Sequence, residues 1–100
     1  MTTMAIKVKL IGVLKGLAGR PEIRITPNKR ALTVSDAISE LCRKIPAEDF
    51  ERAIIDPISK TIGPNVIVLV NEKDISVLRG LDTVIGSNDA ITLVPVSHGG

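Results

Sequence analysis

Residues 33–45 read TVSDAISELCRKI, and this stretch decides the fold of the chain. Its apolar residues recur with the 3.6-residue period of one helix face and predict an amphipathic helix: Val34, Ala37, Ile38, Leu41, Cys42 and Ile45. Thr33 stands at the N-cap position, and Asp36 three residues later completes a capping-box pattern. Pro46 prevents the helix from continuing. A helix with one apolar face has to pack against another layer, so the flanking segments are expected to supply a sheet.

Two strands are predicted before this helix. Residues 5–14 alternate between apolar and polar side chains, and the apolar set that faces the core is Ile6, Val8 and Leu10. Residues 16–21, GLAGRP, contain two glycines and a proline and predict a turn. Residues 22–26 alternate again and predict a second strand. Together these segments indicate a hairpin.

The chain after the main helix supplies a second helix and the remaining strands. Residues 46–56 predict a shorter helix whose buried face is Phe50, Ala53 and Ile54. Residues 66–70, VIVLV, are continuously apolar, which is typical of a central strand that is covered on both faces. Residues 75–78 predict a short edge strand, and residues 90–96 the last strand, in which the pairing should fade at Pro95.

This order of elements predicts an α+β fold, with a mixed sheet of four to five strands and one main helix packed across one face. Residues 1–96 are expected to form this domain, and residues 97–100 a flexible tail. With the first and last strands as central neighbours, four aliphatic side chains project from the face without the helix: Ile11, Val13, Val94 and Val96. Such a cluster marks a partner surface, unless these residues are merely scattered surface aliphatics.

Composition narrows the classes of function. The chain has 100 residues, a net charge of +2 and 1% aromatic residues. Binding of single-stranded nucleic acid needs aromatic platforms for the bases, so no nucleic-acid partner is expected. No apolar stretch is long enough to cross a membrane. The single cysteine fits a reducing compartment, so the chain is expected to be cytoplasmic.

The sequence offers no catalytic constellation of its own. It contains one histidine, His98, and one cysteine, Cys42, and these occupy unrelated places in the pattern. A single imidazole makes neither a catalytic triad nor a closed metal site, so no metal and no bound cofactor are expected. Cys42 lies on the apolar stripe of the main helix, where it is a small core residue or, alternatively, a reactive thiol. The remaining reactive group is the carboxylate of Gly100, which is ionised at neutral pH.

Five short stretches, taken together, resemble the ubiquitin-like β-grasp sulfur carriers. They are residues 17–20 (LAGR), 33–37 (TVSDA), 68–71 (VLVN), 80–83 (GLDT) and 94–100 (VPVSHGG). The likeness is greatest to the small subunit of molybdopterin synthase (the MoaD-like proteins) and to the small archaeal modifier proteins. It implies a ubiquitin-like β-grasp fold. The sequence departs from the family pattern at the single Pro95, at His98, and at Glu72-Lys73, where a glycine is frequent.

The resemblance also implies a chemistry for the C-terminal residues. An E1-like adenylyltransferase would use ATP to adenylate Gly100, and a sulfur donor would convert the adenylate to a thiocarboxylate. The tail would then enter the large subunit of molybdopterin synthase, which uses the sulfur to build molybdopterin. Gly99 and Gly100 have no side chains and fit a narrow channel, while Ser97 and His98 extend the reach of the tail.

Two other functions remain open at this point. The same tail chemistry serves a protein modifier, in which Gly100 forms isopeptide bonds with lysines of target proteins, and it serves sulfur carriers for tRNA or thiamine thiolation. The other possibility is an interaction module whose C-terminus is inert. Loss of Gly100 would abolish the activity of a sulfur carrier or a protein modifier, and it would leave an interaction module with an inert C-terminus unaffected.

Overall fold

The computed structural model of the chain describes residues 5–27 and 31–96. Within these residues lie seven strands: β1 (Ile6–Leu10), β2 (Glu22–Ile25), β3 (Leu32–Thr33), β4 (Val66–Val70), β5 (Lys73–Asp74), β6 (Val84–Ile85) and β7 (Ala90–Pro95). The same residues contain three α-helices: α1 (Val13–Ala18), α2 (Val34–Lys44) and α3 (Glu48–Ile54). Two short 3₁₀ helices follow β5, at Ile75–Val77 and Gly80–Asp82.

The main sheet has five strands in the order β2-β1-β7-β4-β5 among the described residues. β1 and β7 run parallel, and the other neighbouring pairs are antiparallel. The predicted mixed sheet, with the first and last strands side by side at its centre, is therefore confirmed. β3 and β6 form a separate antiparallel pair, and both strands are too short to leave a periodic signal in the sequence.

Helix α2 forms as its sequence predicts. The Thr33 hydroxyl accepts a hydrogen bond from the Asp36 N–H, and the Asp36 carboxylate accepts one from the Thr33 N–H, both at 3.1 Å. These two bonds satisfy two of the N–H groups that a helix start leaves without partners. At the other end of the helix, Lys44 Nζ donates to the Arg24 carbonyl at 2.6 Å and covers that part of the outer edge of β2.

One face of the sheet and the helices share a single apolar core. The strand residues in this core alternate with exposed or half-buried ones: Ile6, Val8, Leu10, Ile23, Ile25, Val66, Val68, Val70, Ile91 and Leu93. The helices contribute side chains that include Leu14, Leu41 and Phe50, all of them inaccessible to solvent. The opposite face of the sheet, here called the open face, is not covered by any described helix.

The prediction that both faces of β4 are covered is wrong. Val66, Val68 and Val70 are buried, but Ile67 is 38% exposed and Leu69 is half-buried on the open face. β4 lies between the central β7 and the two-residue β5, so its side chains alternate as in any half-buried strand. The continuous apolar run hides this alternation.

The first strand is shorter than predicted, and a helix replaces the predicted turn. β1 stops at Leu10, Gly12 adopts a φ of +60°, and α1 begins at Val13. A positive φ costs a glycine little, so the chain can reverse its path within two residues. Leu14, completely buried, then anchors α1 to the core. β1 and β2 still pair antiparallel, although α1 connects them instead of a hairpin loop.

Two smaller predictions also need correction. The edge strand expected at residues 75–78 is a 3₁₀ helix, in which the Asp74 carboxylate accepts from the Ser76 N–H at 2.9 Å. The second helix is confirmed, with Phe50 and Ile54 buried and Ala53 half-buried. It starts at Glu48, with Ala47 as its N-cap, so Pro46 precedes it.

Candidate functional site

Strand β7 carries the chain toward the predicted reactive end. It lies between β1 and β4, the most enclosed position in the sheet. The Val96 N–H donates to the Asn65 carbonyl at 2.8 Å, so the pairing continues past Pro95 instead of fading as predicted. Residue 96 is therefore held by the body of the domain. The predicted tail residues Ser97, His98, Gly99 and Gly100 lie outside the described residues.

The strand register brings aliphatic side chains together on the open face beside this point. Ile11 N–H donates to the Leu93 carbonyl at 3.2 Å, which extends the β1–β7 ladder by one residue beyond β1. Ile11 therefore follows Lys7 and Lys9 on the open face, and its side chain is 44% exposed. Val94 of β7 and Val96, the residue that follows the strand, are half-buried and alternate with the buried Leu93.

Val13 does not belong to this strand face. The positive φ of Gly12 ends the extended backbone, so Val13 is the first residue of α1, where it is 61% exposed. The expectation that it projects from the sheet beside Ile11 is wrong. Its place is taken by Ile67 of β4, which lies directly opposite Val94 in the antiparallel register.

We call the four residues Ile11, Ile67, Val94 and Val96 the apolar half of the open face. Sequence reasoning missed Ile67 because the VIVLV run gave no sign of which residues faced outward. The signal is the antiparallel pairing of β4 with β7, which only the fold provides. A patch of exposed aliphatic side chains beside Val96, the last described residue, is typical of a surface that binds a protein partner.

Cys42 is not equipped for nucleophilic chemistry. It is half-buried on α2, in a groove of about 420 Å³ that Glu51 of α3 also lines. Burial, with the nearby Glu51 carboxylate as a second cause, raises the pKa of the Cys42 thiol to about 11. The thiol therefore stays protonated at neutral pH, and only the thiolate is a good nucleophile. The small-core-residue interpretation accounts for this position.

Across residues 5–27 and 31–96, no three His, Cys, Asp or Glu side chains are grouped so that they could hold a metal ion. No helix in those ranges has both the length and the apolar character needed to cross a bilayer.

Comparison with known proteins identifies the fold family. The family profile of Urm1 (Ubiquitin related modifier) matches residues 5–100. Comparison with curated protein sequences found no significant match.

Solved structures extend this comparison. The solution structure of small archaeal modifier protein 1 from Methanosarcina acetivorans is 26% identical, with 100% of each chain covered and a TM-score of 0.81. The crystal structure of the Haloferax volcanii SAMP1 is 24% identical, covering 96% of this chain and 99% of that one, with a TM-score of 0.82. A putative molybdopterin converting factor, subunit 1, from Pyrococcus furiosus is 20% identical, covering 95% and 100%, with a TM-score of 0.71.

The mixed five-stranded sheet, the helix across one face and the match over residues 5–100 agree with one another. The chain belongs to the Urm1 family, among the ubiquitin-like β-grasp sulfur carriers and modifiers.

Proposed function

We propose that the chain is a sulfur carrier whose C-terminal glycine, Gly100, is adenylated and then thiocarboxylated to donate sulfur in molybdopterin synthesis. The observation that carries this proposal is the attachment of the tail. β7 occupies the centre of the sheet and is held up to Val96, directly beside the apolar half of the open face. A partner that binds this half would receive the following four residues in a defined direction.

The chemistry follows from the properties of a carboxylate. Its charge is delocalised and repels nucleophiles, so it needs a better leaving group before it can react. In the first step a Gly100 carboxylate oxygen attacks the α-phosphorus of ATP on an E1-like adenylyltransferase, and pyrophosphate leaves. In the second step a hydrosulfide ion from a sulfide donor attacks the acyl carbon, AMP leaves, and a thiocarboxylate remains. The chain supplies the acyl group and a docking surface, and the enzyme binds the ATP.

The docking surface sets the affinity for the large subunit of molybdopterin synthase. If each of the four side chains in the apolar half buries ~40 Å², the contact contributes about 4 kcal/mol at ~25 cal/mol per Å². Association costs at least this much in lost translational and rotational freedom. A stable complex therefore needs contacts beyond the apolar half.

A second function is favoured by the names of the relatives. The matching family is described as ubiquitin related modifier, and the Methanosarcina protein as a small archaeal modifier. In this case the lysine ε-amine of a target protein attacks the acyl carbon of the Gly100 adenylate, AMP leaves, and an isopeptide bond forms where the sulfur carrier would form a thiocarboxylate. Sulfur carriers for tRNA or thiamine thiolation use the same thiocarboxylate with a different acceptor.

One experiment separates these outcomes. The purified chain is mixed with ATP, an E1-like adenylyltransferase and a sulfide source, and its C-terminal peptide is weighed. Replacement of one oxygen by sulfur at Gly100 supports a sulfur carrier, whereas adducts of the chain on lysines of other proteins support a modifier. A chain that forms neither product, nor an acyl-adenylate, contradicts both functions.

Deletion of Gly100 is the matching negative control. It removes the acceptor position without touching residues 5–96, so both products should disappear while the thermal unfolding midpoint stays unchanged. Gly16→Ala alters a glycine on α1 at which an added Cβ atom would meet no other part of the molecule within 4 Å, and it should leave both products intact.

A further inference from the structure

We infer that the outer edge of β2 is a strand-pairing site for a second copy of this chain, and that Lys44 closes the site in the free chain. β2 is an edge strand of the five-stranded sheet in the described part of the chain. The inference concerns self-association, so it is independent of the chemistry proposed for Gly100.

The hydrogen bonds between β1 and β2 show which backbone groups of β2 face outward. The Leu10 N–H donates to the Pro21 carbonyl at 2.8 Å, so these two residues form a hydrogen-bonded pair of the antiparallel ladder. Such pairs alternate with non-hydrogen-bonded pairs along the strands. Glu22 and Arg24 occupy the non-hydrogen-bonded positions of the same register. Their backbone N–H and C=O groups therefore point away from β1, toward the outer edge.

Lys44 occupies one of these outward groups. It is the exposed last residue of α2, and its Nζ donates to the Arg24 carbonyl at 2.6 Å. The outward N–H groups of Glu22 and Arg24 and the Glu22 carbonyl have no hydrogen-bond partner within residues 5–27 and 31–96. Proteins protect edge strands with lysine side chains, and this lysine holds an acceptor that an added strand would need.

The sequence of β2 is complementary to itself in charge. Two antiparallel copies centred on Ile23 would place Glu22 of one copy opposite Arg24 of the other. Both residues direct their backbone groups outward, so each such pair would exchange both of its backbone hydrogen bonds. The Glu22 and Arg24 side chains are exposed on the open face, where they alternate with the buried Ile23 and Ile25. Opposite charges would therefore face each other across the new strand pair, which stabilises a sheet.

Other registers are unfavourable. A pairing centred on Glu22 would oppose two carboxylates, and a pairing centred on Arg24 would oppose two guanidinium groups. Like charges directly opposite each other destabilise a sheet. The charges of β2 thus select the register centred on Ile23.

The fold itself leaves these two charges available. Arg24 lies opposite Lys7 and forms no ion pair in the described ranges of the chain. Glu22 approaches Lys7 Nζ only to 4.0 Å, and the two side chains are 46% and 43% exposed. Exposed pairs of this kind contribute little, so Glu22 can exchange this contact for one with Arg24 of the second copy.

Pairing at this edge leaves the rest of the molecule accessible. β7 lies at the centre of the sheet, and the edge pair covers neither β7 nor the open face. A foreign strand would have to bring a base opposite Glu22 and an acid opposite Arg24, which a second copy supplies by its own sequence. Because β2 has only four residues, the interface is small and the dimer is transient.

The test measures self-association of the full chain in a dilution series, by sedimentation and by the NMR shifts of the backbone amides. Lys44→Met removes the ammonium group and keeps a long side chain at the exposed end of α2. The matched control is Arg43→Met, which removes one positive charge from the neighbouring residue. The Arg43 guanidinium pairs with Glu40 and not with β2.

We expect Lys44→Met to lower the dissociation constant of the dimer at least ~10-fold, because neither copy then has to release a charge-assisted hydrogen bond. Arg43→Met should change the constant by less than ~3-fold, since it removes only an exposed ion pair. The amides of Glu22 and Arg24 should shift with concentration, because they become donors to the second copy.

Charge substitutions in the Lys44→Met chain test the register. Arg24→Glu would place carboxylates opposite Glu22 of the other copy and should abolish the dimer. Glu22→Arg/Arg24→Glu exchanges the two charges, restores opposite charges across the pair and should restore the dimer. Both positions are exposed, so both variants keep the fold, which circular dichroism verifies.

Three results would overturn the inference. One is a Lys44→Met chain that associates no more than Arg43→Met, or a charge-exchanged chain that stays monomeric. Another is a set of concentration-dependent shifts confined to Ile67 and Val94, which would place the interface on the open face. The last is a shift of Glu22 and Arg24 only after addition of the E1-like adenylyltransferase, because the occupant of the edge would then be the enzyme. Adenylation of Gly100 is measured separately and is unaffected by any of these results.

Discussion

Gly12 lies directly against the ring of Pro95. A Cβ atom added at residue 12 would stand 3.2 Å from Pro95 Cγ, closer than an ordinary van der Waals contact, and the φ of Gly12 is +60°. Glycine satisfies both conditions because it has no side chain and tolerates positive φ. The contact connects the turn after β1 with the last residue of β7. It therefore fixes the point from which the tail departs.

Gly12→Ala should destabilise the domain by about 1–3 kcal/mol, because alanine would strain the backbone at positive φ and press on Pro95. Urea denaturation followed by circular dichroism measures this change in the free energy of unfolding.

Substitutions at two other glycines separate the effect of backbone strain from that of the contact with Pro95. Gly80 also has a positive φ, +59°, but open space around its Cβ position, so Gly80→Ala reports the backbone strain alone. Gly16 has no positive φ and lies within α1, so Gly16→Ala should stabilise the domain by ~0.5–1 kcal/mol. A Gly12→Ala that costs no more than Gly80→Ala would show that the Pro95 contact is unimportant.

Thr33→Ala should cost about 1 kcal/mol, within a range of ~0.5–2 kcal/mol, because it removes the hydroxyl that accepts from the Asp36 N–H. Ser35→Ala, at an exposed position of α2 outside the capping box, is the control and should change stability by less than ~0.5 kcal/mol. Thermal unfolding of both variants checks the comparison. A Thr33→Ala domain as stable as Ser35→Ala would contradict a functioning capping box.

Asn71→Ala should destabilise the domain by ~1–2 kcal/mol. The Asn71 side-chain amide donates to Asp89 at 2.8 Å, and its oxygen accepts from the Ala90 N–H at 3.0 Å, so it holds the start of β7 to the turn after β4. Urea denaturation measures the loss. An unchanged free energy of unfolding would mean that these bonds merely replace bonds to water.

Glu72→Gly, one residue further on, should have the opposite effect. Glu72 has a φ of 72°, which an L-residue adopts at a cost of ~1 kcal/mol and glycine adopts freely. We expect a gain of ~0.5–1 kcal/mol in the same urea measurement, despite the greater flexibility of the unfolded glycine chain. A loss of stability would show that the Glu72 side chain contributes a favourable interaction.

Cys42 should react slowly with iodoacetamide at neutral pH. Burial and the Glu51 carboxylate both disfavour the thiolate, so its pKa rises from 9.0 to about 11. The alkylation rate, followed by mass spectrometry, should increase as the pH is raised toward 11. The pKa of Cys42 is higher in the folded than in the unfolded chain, so the folded state holds the thiol proton more tightly. The contribution of this group to the free energy of unfolding is therefore complete below pH 9.0 and is lost as the pH rises toward 11.

Glu51→Gln tests whether the Glu51 carboxylate helps to raise the pKa of Cys42. It removes the carboxylate and should lower the pKa of Cys42, so alkylation becomes faster at a given pH below 11. Arg52→Gln, at the neighbouring exposed position on α3, is a control for nonspecific loosening of the helix. Fast alkylation of the unaltered chain at pH 7 would contradict the raised pKa.

The sequence predicts those helices and strands whose hydrophobic periodicity extends over enough residues to be unambiguous. α2 is the clearest case, since eleven residues, a capping box and Pro46 all define the same segment. Local patterns do not reveal α1, because Gly16 and Gly19 resemble a turn and the helix has only six residues, of which Leu14, Leu17 and Ala18 show the helical spacing. The stabilising factor for α1 is the burial of Leu14, which depends on tertiary packing.

The candidate site also contains residues that the sequence places correctly and residues that only the fold places. Val94 and Val96 could be placed on one face from the period of a single strand. Ile67 and Arg24 join the face only through pairing with strands that are distant in sequence, and register is not encoded in any one segment. Val13 was misplaced because the strand was extended through Gly12, whose positive φ has no signal other than the glycine itself.

The parallel pairing of β1 and β7 has a mechanical consequence. If the C-terminus is pulled while the start of β1 is held, the force acts along the two strands and shears the hydrogen bonds between them. These bonds must then break together and not one after another. An enzyme that drags the C-terminus through a tight passage would thus strain the most resistant part of the molecule.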